Sequence, residues 1–229
     1  MKTYLMVLDT ETCNGIMEDD GTLNLDDSLV YDGGFSVVDT KGTVIEEHSY
    51  VIGDVFCGMK DIMASAYYAD KIPNYWNDIR AKTRTMVSFN HFRNIVWDTI
   101  KKYHISAIVA HNARFDVNAL NKTCRYLSKS DKRFFFPRNV EIWDSLKMAR
   151  SVVGKMKTYQ KFCADNGYMT AHAVPQCRFT AEVLYRFITK DTTFVESHTA
   201  LEDVKIEREI MWYCYRQKRP MEKVLYEKR

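Results

Sequence analysis

Residues 3–12 read Thr3-Tyr4-Leu5-Met6-Val7-Leu8-Asp9-Thr10-Glu11-Thr12, a short apolar run that ends abruptly in two carboxylates. An uninterrupted apolar run of this length suits a buried strand. In extended backbone the side chains at i and i+2 project to the same side, so Asp9 and Glu11 stand together at the strand's end. Two acids side by side repel, and burying them unpaired is expensive. Divalent cations resolve that conflict. A strand that merely ends in a polar turn would avoid it.

Outward from this strand, Phe35–Val38 and Val44–Tyr50 flank the turn-forming Asp39-Thr40-Lys41-Gly42 and read as a hairpin. A polar, acidic loop from Cys13 to Gly33 separates strand and hairpin, and residues 54–104 read as largely helical. Ile105–Ala110 is a second buried strand, followed directly by a helical pattern over Ala113–Leu127. Val140–Trp143 is a third short strand that runs through Asp144 into a helix over Ser145–Arg150. Pro175 marks a loop, and Phe179–Ile188 reads as helix. The clearest helix spans Thr199 to about Arg216. It opens with Thr199 and Glu202 in a capping-box pattern, and Leu201, Val204, Ile206, Ile210 and Met211 keep helical spacing. This order predicts an α/β fold with a mixed sheet, its first three strands antiparallel and its later ones parallel through crossover helices. The chain reads as a single domain over 1–229 with an insertion-like region around 54–104.

Composition narrows the class. The six cysteines are scattered, with no C-x-x-C pair, and read as free thiols of a reducing compartment. The N-terminus meets charge too early for a signal peptide, and no run is long enough to span a bilayer, so an intracellular, cytoplasmic protein without a membrane partner is expected. The net charge of +3 is small, but its distribution is uneven. Eight acids and no Lys or Arg lie between Asp9 and Asp32, whereas eleven Lys or Arg stand against three acids between Lys122 and Lys161. An acidic pole can hold cations and a basic stretch can hold phosphate; two solvated faces of opposite sign explain the same pattern.

Two further motifs join Asp9 and Glu11. His111-Asn112-Ala113-Arg114-Phe115-Asp116 follows the second strand and puts Asp116 on the first turn of a helix. His198-Thr199-Ala200-Leu201-Glu202-Asp203 leaves His198 in a loop and fixes Asp203 on the following helix. A histidine free to turn there can take a proton from water near neutral pH. Taken singly, an ordinary helix-start acid and a solvated loop histidine explain both.

Taken together, Asp9, Glu11, Asp116 in N-x-x-F-D, and Asp203 resemble the motifs of the DEDD exonuclease superfamily, in that family's order. The His198-x-x-x-x-Asp203 spacing is similar to the histidine subclass, DEDDh. In the tyrosine subclass a Tyr stands four residues before the aspartate, where this chain has Thr199. Gly33-Gly34-Phe35 and Trp143-Asp144-Ser145-Leu146 add to the likeness, which runs from Leu5 to about Trp212. Three regions depart from the pattern: the long acidic loop, residues 54–103 and residues 154–193.

The resemblance implies a ribonuclease H-like fold with a mixed five-stranded sheet flanked by helices, and a metal-dependent 3′→5′ exonuclease. Asp9, Glu11, Asp116 and Asp203 would hold two Mg²⁺ or Mn²⁺ about 3.5–4 Å apart, with Asp9 bridging and His198 as general base. The substrate would be the 3′ end of single-stranded DNA or RNA, the product a nucleoside 5′-monophosphate, and Thr10, Thr12, Asn112 and Phe115 its contacts. Several relatives act as dimers, so a homodimer is among the implications. Phe134-Phe135-Phe136, flanked by Lys132, Arg133 and Arg138, offers base stacking or plain core packing. Two other functions compete: hydrolysis of short oligonucleotides or signalling nucleotides at the same site, and catalytically silent nucleic-acid binding.

Overall fold

Side chains of the first strand alternate between two apolar clusters, and that alternation sets the layers. The structure is a computed structural model and describes residues 3–13, 16–17, 23–24, 28–64, 66, 69–128 and 134–226. Strand β1 (Tyr4–Cys13) sends Met6 and Leu8 into one cluster and Leu5 and Val7 into the other. Strands β2 (Ile16–Met17) and β3 (Leu23–Asn24) pair only with each other. The main sheet adds β4 (Leu29–Asp39), β5 (Val44–Ile52), β6 (Thr85–Val87), β7 (Ile105–Ala110) and β8 (Glu141–Asp144), in the order β6-β5-β4-β1-β7-β8. Pairing is antiparallel for β1–β4 and β4–β5, and parallel for β5–β6, β1–β7 and β7–β8.

The mixed sheet flanked by helices is the expected architecture, with one correction: among the described residues it has six strands where five were expected. The sixth, β6, lies in the region read as helical. At three residues it is too short for a period-2 pattern to register, and it owes its place to parallel pairing of Val51 with Met86. The acidic loop is also shorter than expected, because Leu29–Tyr31 begin β4 and bury there. Acidic residues 18–20 and 26–27 lie outside the described residues.

One face of the sheet carries α1 (Gly53–Phe56), α2 (Lys60–Ala64), α3 (Ile72–Ala81), α4 (Phe89–Tyr103) and α5 (Arg114–Ser128), packed on the Met6–Leu8 cluster. The other face carries α6 (Ser145–Val152), α7 (Lys157–Asp165), α8 (Ala181–Thr189) and α9 (Ala200–Arg216) over Leu5 and Val7. Phe135 is buried in the first cluster against Phe89 and Phe92, with Phe136 buried against Phe135, so core packing accounts for both, while Phe134 is exposed under Arg138. Lys132 and Arg133 lie outside the described residues, as do Tyr67 and Tyr68. Among the described residues no helix is long and apolar enough to cross a membrane.

The capping box expected at α9 is absent. Thr199 is the N-cap but makes no side-chain cap bond, and Glu202 faces Lys205 at 2.6 Å. The helix start is buried against β4, so its orphan Ala200 N–H donates instead to the Asp32 carboxylate at 3.2 Å. Tyr75 Oη and Arg84 Nη1 donate to the same Asp32 oxygen, at 2.7 and 2.8 Å. One buried carboxylate of β4 thus ties α9 to both α3 and the segment leading to β6.

Candidate active site

Pleat and pairing bring three distant segments to one point. Asp9 and Glu11 continue the Leu5–Val7 side of β1, the side that α9 covers. Asp9 pairs across the ladder with Gly34, and a Cβ at Gly34 would lie 2.5 Å from Leu201 N. Only glycine lets the first turn of α9 approach this closely, and the approach carries Asp203 to β1. Oxygen atoms of Asp9, Glu11 and Asp203 lie within 4.8 Å of one another. Asp116 arrives from the opposite layer. It sits on the first turn of α5, buried, and its Oδ1 accepts from Thr10 N at 3.2 Å and Thr10 Oγ1 at 2.8 Å.

All four carboxyls are shifted above the ordinary range. Burial is the main cause in each case. For Asp9, the charges of Glu207, Asp116, Glu11 and Asp203 add to burial. Glu11 and Asp203 meet in this cluster, and Asp203 Oδ1 is buried with no hydrogen-bond partner among the described residues. Such a cluster must hold either protons or cations. An all-oxygen donor set with an orphaned carboxylate oxygen fits hard divalent cations such as Mg²⁺ or Mn²⁺.

His198 stands at φ 52°, a left-handed conformation that non-glycine residues seldom adopt and that often marks functional positions. It is half-buried, with Nδ1 3.9 Å from Glu196 Oε2, and it forms a second potential ligand group with Glu196 and Asp203. Burial lowers its pKa, and the positive charge of Lys71 lowers it further. Lys71 donates to the Ser197 carbonyl and so reaches the loop that carries His198. Asn112 is also left-handed, at φ 61°, and its N–H donates to Asp144 Oδ1 at 3.0 Å. Asp144 accepts Leu146 N at 2.9 Å as well, so it caps α6 and braces the turn that aims Asp116. Thr10 is buried and Thr12 partly buried on β1, while Phe115 is exposed at the start of α5.

Asp9 and Asp203 line a cleft of about 1100 Å³ whose walls also include Arg150, Lys155 and Arg178. Carboxylates and cations therefore share one cavity, the arrangement that a phosphate-bearing chain requires. Sequence reading missed Glu207, Glu196 and Lys71. Glu207 left a usable signal, an acid one turn beyond Asp203 on the apolar face of α9; Lys71 and Glu196 lie where no periodic pattern exists.

The fold has counterparts among solved structures. The nuclease domain of 3'hExo, described as a DEDDh family member and bound to rAMP, matches with a TM-score of 0.53 at 10% identity, covering 97% of each chain. A full-length 3'-exonuclease matches at 0.54 and 10% identity, over 96% of this chain and 62% of that one. The fold is ribonuclease H-like. The same ribonuclease H-like core occurs in the zinc-bound ExoI–ssDNA complex of E. coli, at a TM-score of 0.50 and 13% identity over 96% of this chain. The chain spans only 42% of that ExoI chain. No family model and no curated protein matches the sequence.

Proposed function

We propose that this chain is a divalent-cation-dependent 3′→5′ exonuclease that releases nucleoside 5′-monophosphates from single-stranded nucleic acid. One observation carries the proposal: oxygens of Asp9, Glu11 and Asp203 meet within 4.8 Å on a buried strand end and helix start. Two structural neighbours, a DEDDh nuclease domain and an ssDNA-bound exonuclease, support it.

Asp9, Glu11 and Asp203 hold the cations, with Asp116 beside them fixed by Thr10. Bound there, Mg²⁺ or Mn²⁺ supplies Lewis-acid stabilisation of the charge that develops during phosphoryl displacement. His198 takes the proton of the attacking water, a role for which a neutral imidazole is required and which its lowered pKa favours. Arg150, Lys155 and Arg178 neutralise the phosphates of the strand lying in the cleft.

Asp9→Ala tests the assignment. It should abolish Mg²⁺-dependent digestion of labelled single strands, while the cation-free melting temperature holds or rises because a repelling charge is gone. A variant that stays active, or that is inactive only because it is unfolded, contradicts the assignment.

A further inference from the structure

Glu207 is a carboxylate that the four-acid site does not need. It lies one helical turn beyond Asp203 on α9, is 3% exposed, and lines the same cleft as Asp9 and Asp203. Its Oε1 accepts the His111 N–H at 3.0 Å, whereas its Oε2 is buried with no hydrogen-bond partner among the described residues. Anchoring a backbone N–H needs only a carbonyl oxygen, which a glutamine would provide without a buried charge. A carboxylate is instead the most expensive way to make that bond, because four other acids already crowd the site. After burial, Glu207 is the charge that most raises the Asp9 pKa, and Asp116 the charge that most raises that of Glu207. A further buried acid in the cleft that Asp9 and Asp203 line becomes favourable once a cation is held there.

We propose that Glu207 is a fifth cation-facing carboxylate, presenting Oε2 to the cleft that Asp9 and Asp203 also line. The proposal rests on the reading of the cluster as a divalent-cation site and enlarges its ligand set. It also gives His111 a purpose. Its ring lies between Ser145 Oγ, 2.9 Å from Nδ1, and the Phe179 carbonyl, 2.8 Å from Nε2. The His111 backbone N–H is thereby held rigidly enough to orient Glu207.

The test is calorimetric titration of the full chain with Mn²⁺, without nucleic acid, for the wild type, Glu207→Gln, Glu207→Leu and Asp9→Asn, each checked for folding by its melting temperature. Gln preserves the acceptor for His111; Leu removes every polar atom at similar volume. The proposal expects both Glu207 variants to lose about tenfold or more in Mn²⁺ affinity, the span usual for groups that support metal ligands. Wild-type Mn²⁺ binding in a folded Glu207→Gln or Glu207→Leu protein overturns it. If Asp9→Asn alone weakens binding, Glu207 is an anchor for His111 and only this inference fails. If Asp9→Asn also binds as the wild type does, the cluster is not a cation site and the functional reading fails with it.

Discussion

In the proposed reaction His198 carries the proton chemistry, and its surroundings fix the sign of its pH response. Burial and then the charge of Lys71 push its pKa below the ordinary 6.5, while Glu182 opposes them weakly. A general base works when neutral, so turnover should rise with pH only below about 6.5 and be flat above it. Cations bound nearby move the limb further in the same direction. His198→Ala should lower turnover by about 10²–10⁴-fold, abolish that acid limb and leave Mn²⁺ affinity nearly intact. A pH–rate profile of both proteins checks this; nearly full turnover in the variant would reduce His198 to a loop residue with coincidental spacing. The sequence placed His198 by its interval from Asp203. It held no sign of Lys71, which reaches the Ser197 carbonyl from 126 residues away, or of Glu196, which stands two residues before His198 in a loop without periodicity.

At the scale of elements, the decisive contact is α9 against β4. Gly34 is the thinnest point of that interface, with Leu201 N and the Ala200 carbonyl carbon 2.5 and 2.7 Å from the position of an added Cβ. Both are backbone atoms, so no rotamer change relieves the overlap. Gly34→Ala should therefore push the first turn of α9 off the sheet, destabilise the protein by about 1–3 kcal/mol and weaken Mn²⁺ binding as Asp203 withdraws. A melting curve and a titration that both match the wild type would show that α9 can shift without moving Asp203. The strands and long helices were legible because their apolar patterns are strong: TYLMVL, ISAIVA and the α9 stripe each fix an element and its buried side. The start of α9 was misread because Thr199 and Glu202 fit a local capping pattern, whereas burial against β4 gave the Ala200 N–H to Asp32. Strand β6 escaped because three residues at a sheet edge depend on a partner rather than on their own sequence.

At the scale of the molecule, a sheet with two differently populated faces delivers acids to one end of a cleft that also holds Arg150, Lys155 and Arg178. The raised carboxyls make that end a stability liability whose sign is fixed. A carboxyl with a raised folded-state pKa stabilises the fold while protonated, and the gain is lost as pH rises through the folded value, about 9 for Asp203. Between pH 7 and 8 the cation-free protein should lose stability with rising pH. Mg²⁺ should restore it, more strongly at pH 8 than at pH 7, and Asp203→Asn should flatten the slope. Thermal melts with and without Mg²⁺ check this; a cation-free protein that gains stability over that interval contradicts the charge cluster. The most direct measurement is digestion of a 5′-labelled single strand, as DNA and as RNA, with Mg²⁺ and with excess chelator. Stepwise shortening from the 3′ end with release of nucleoside 5′-monophosphates, abolished by chelator, is the expected result. Undiminished cleavage in chelator, or fragments from a circular single strand, would contradict a cation-dependent 3′→5′ exonuclease.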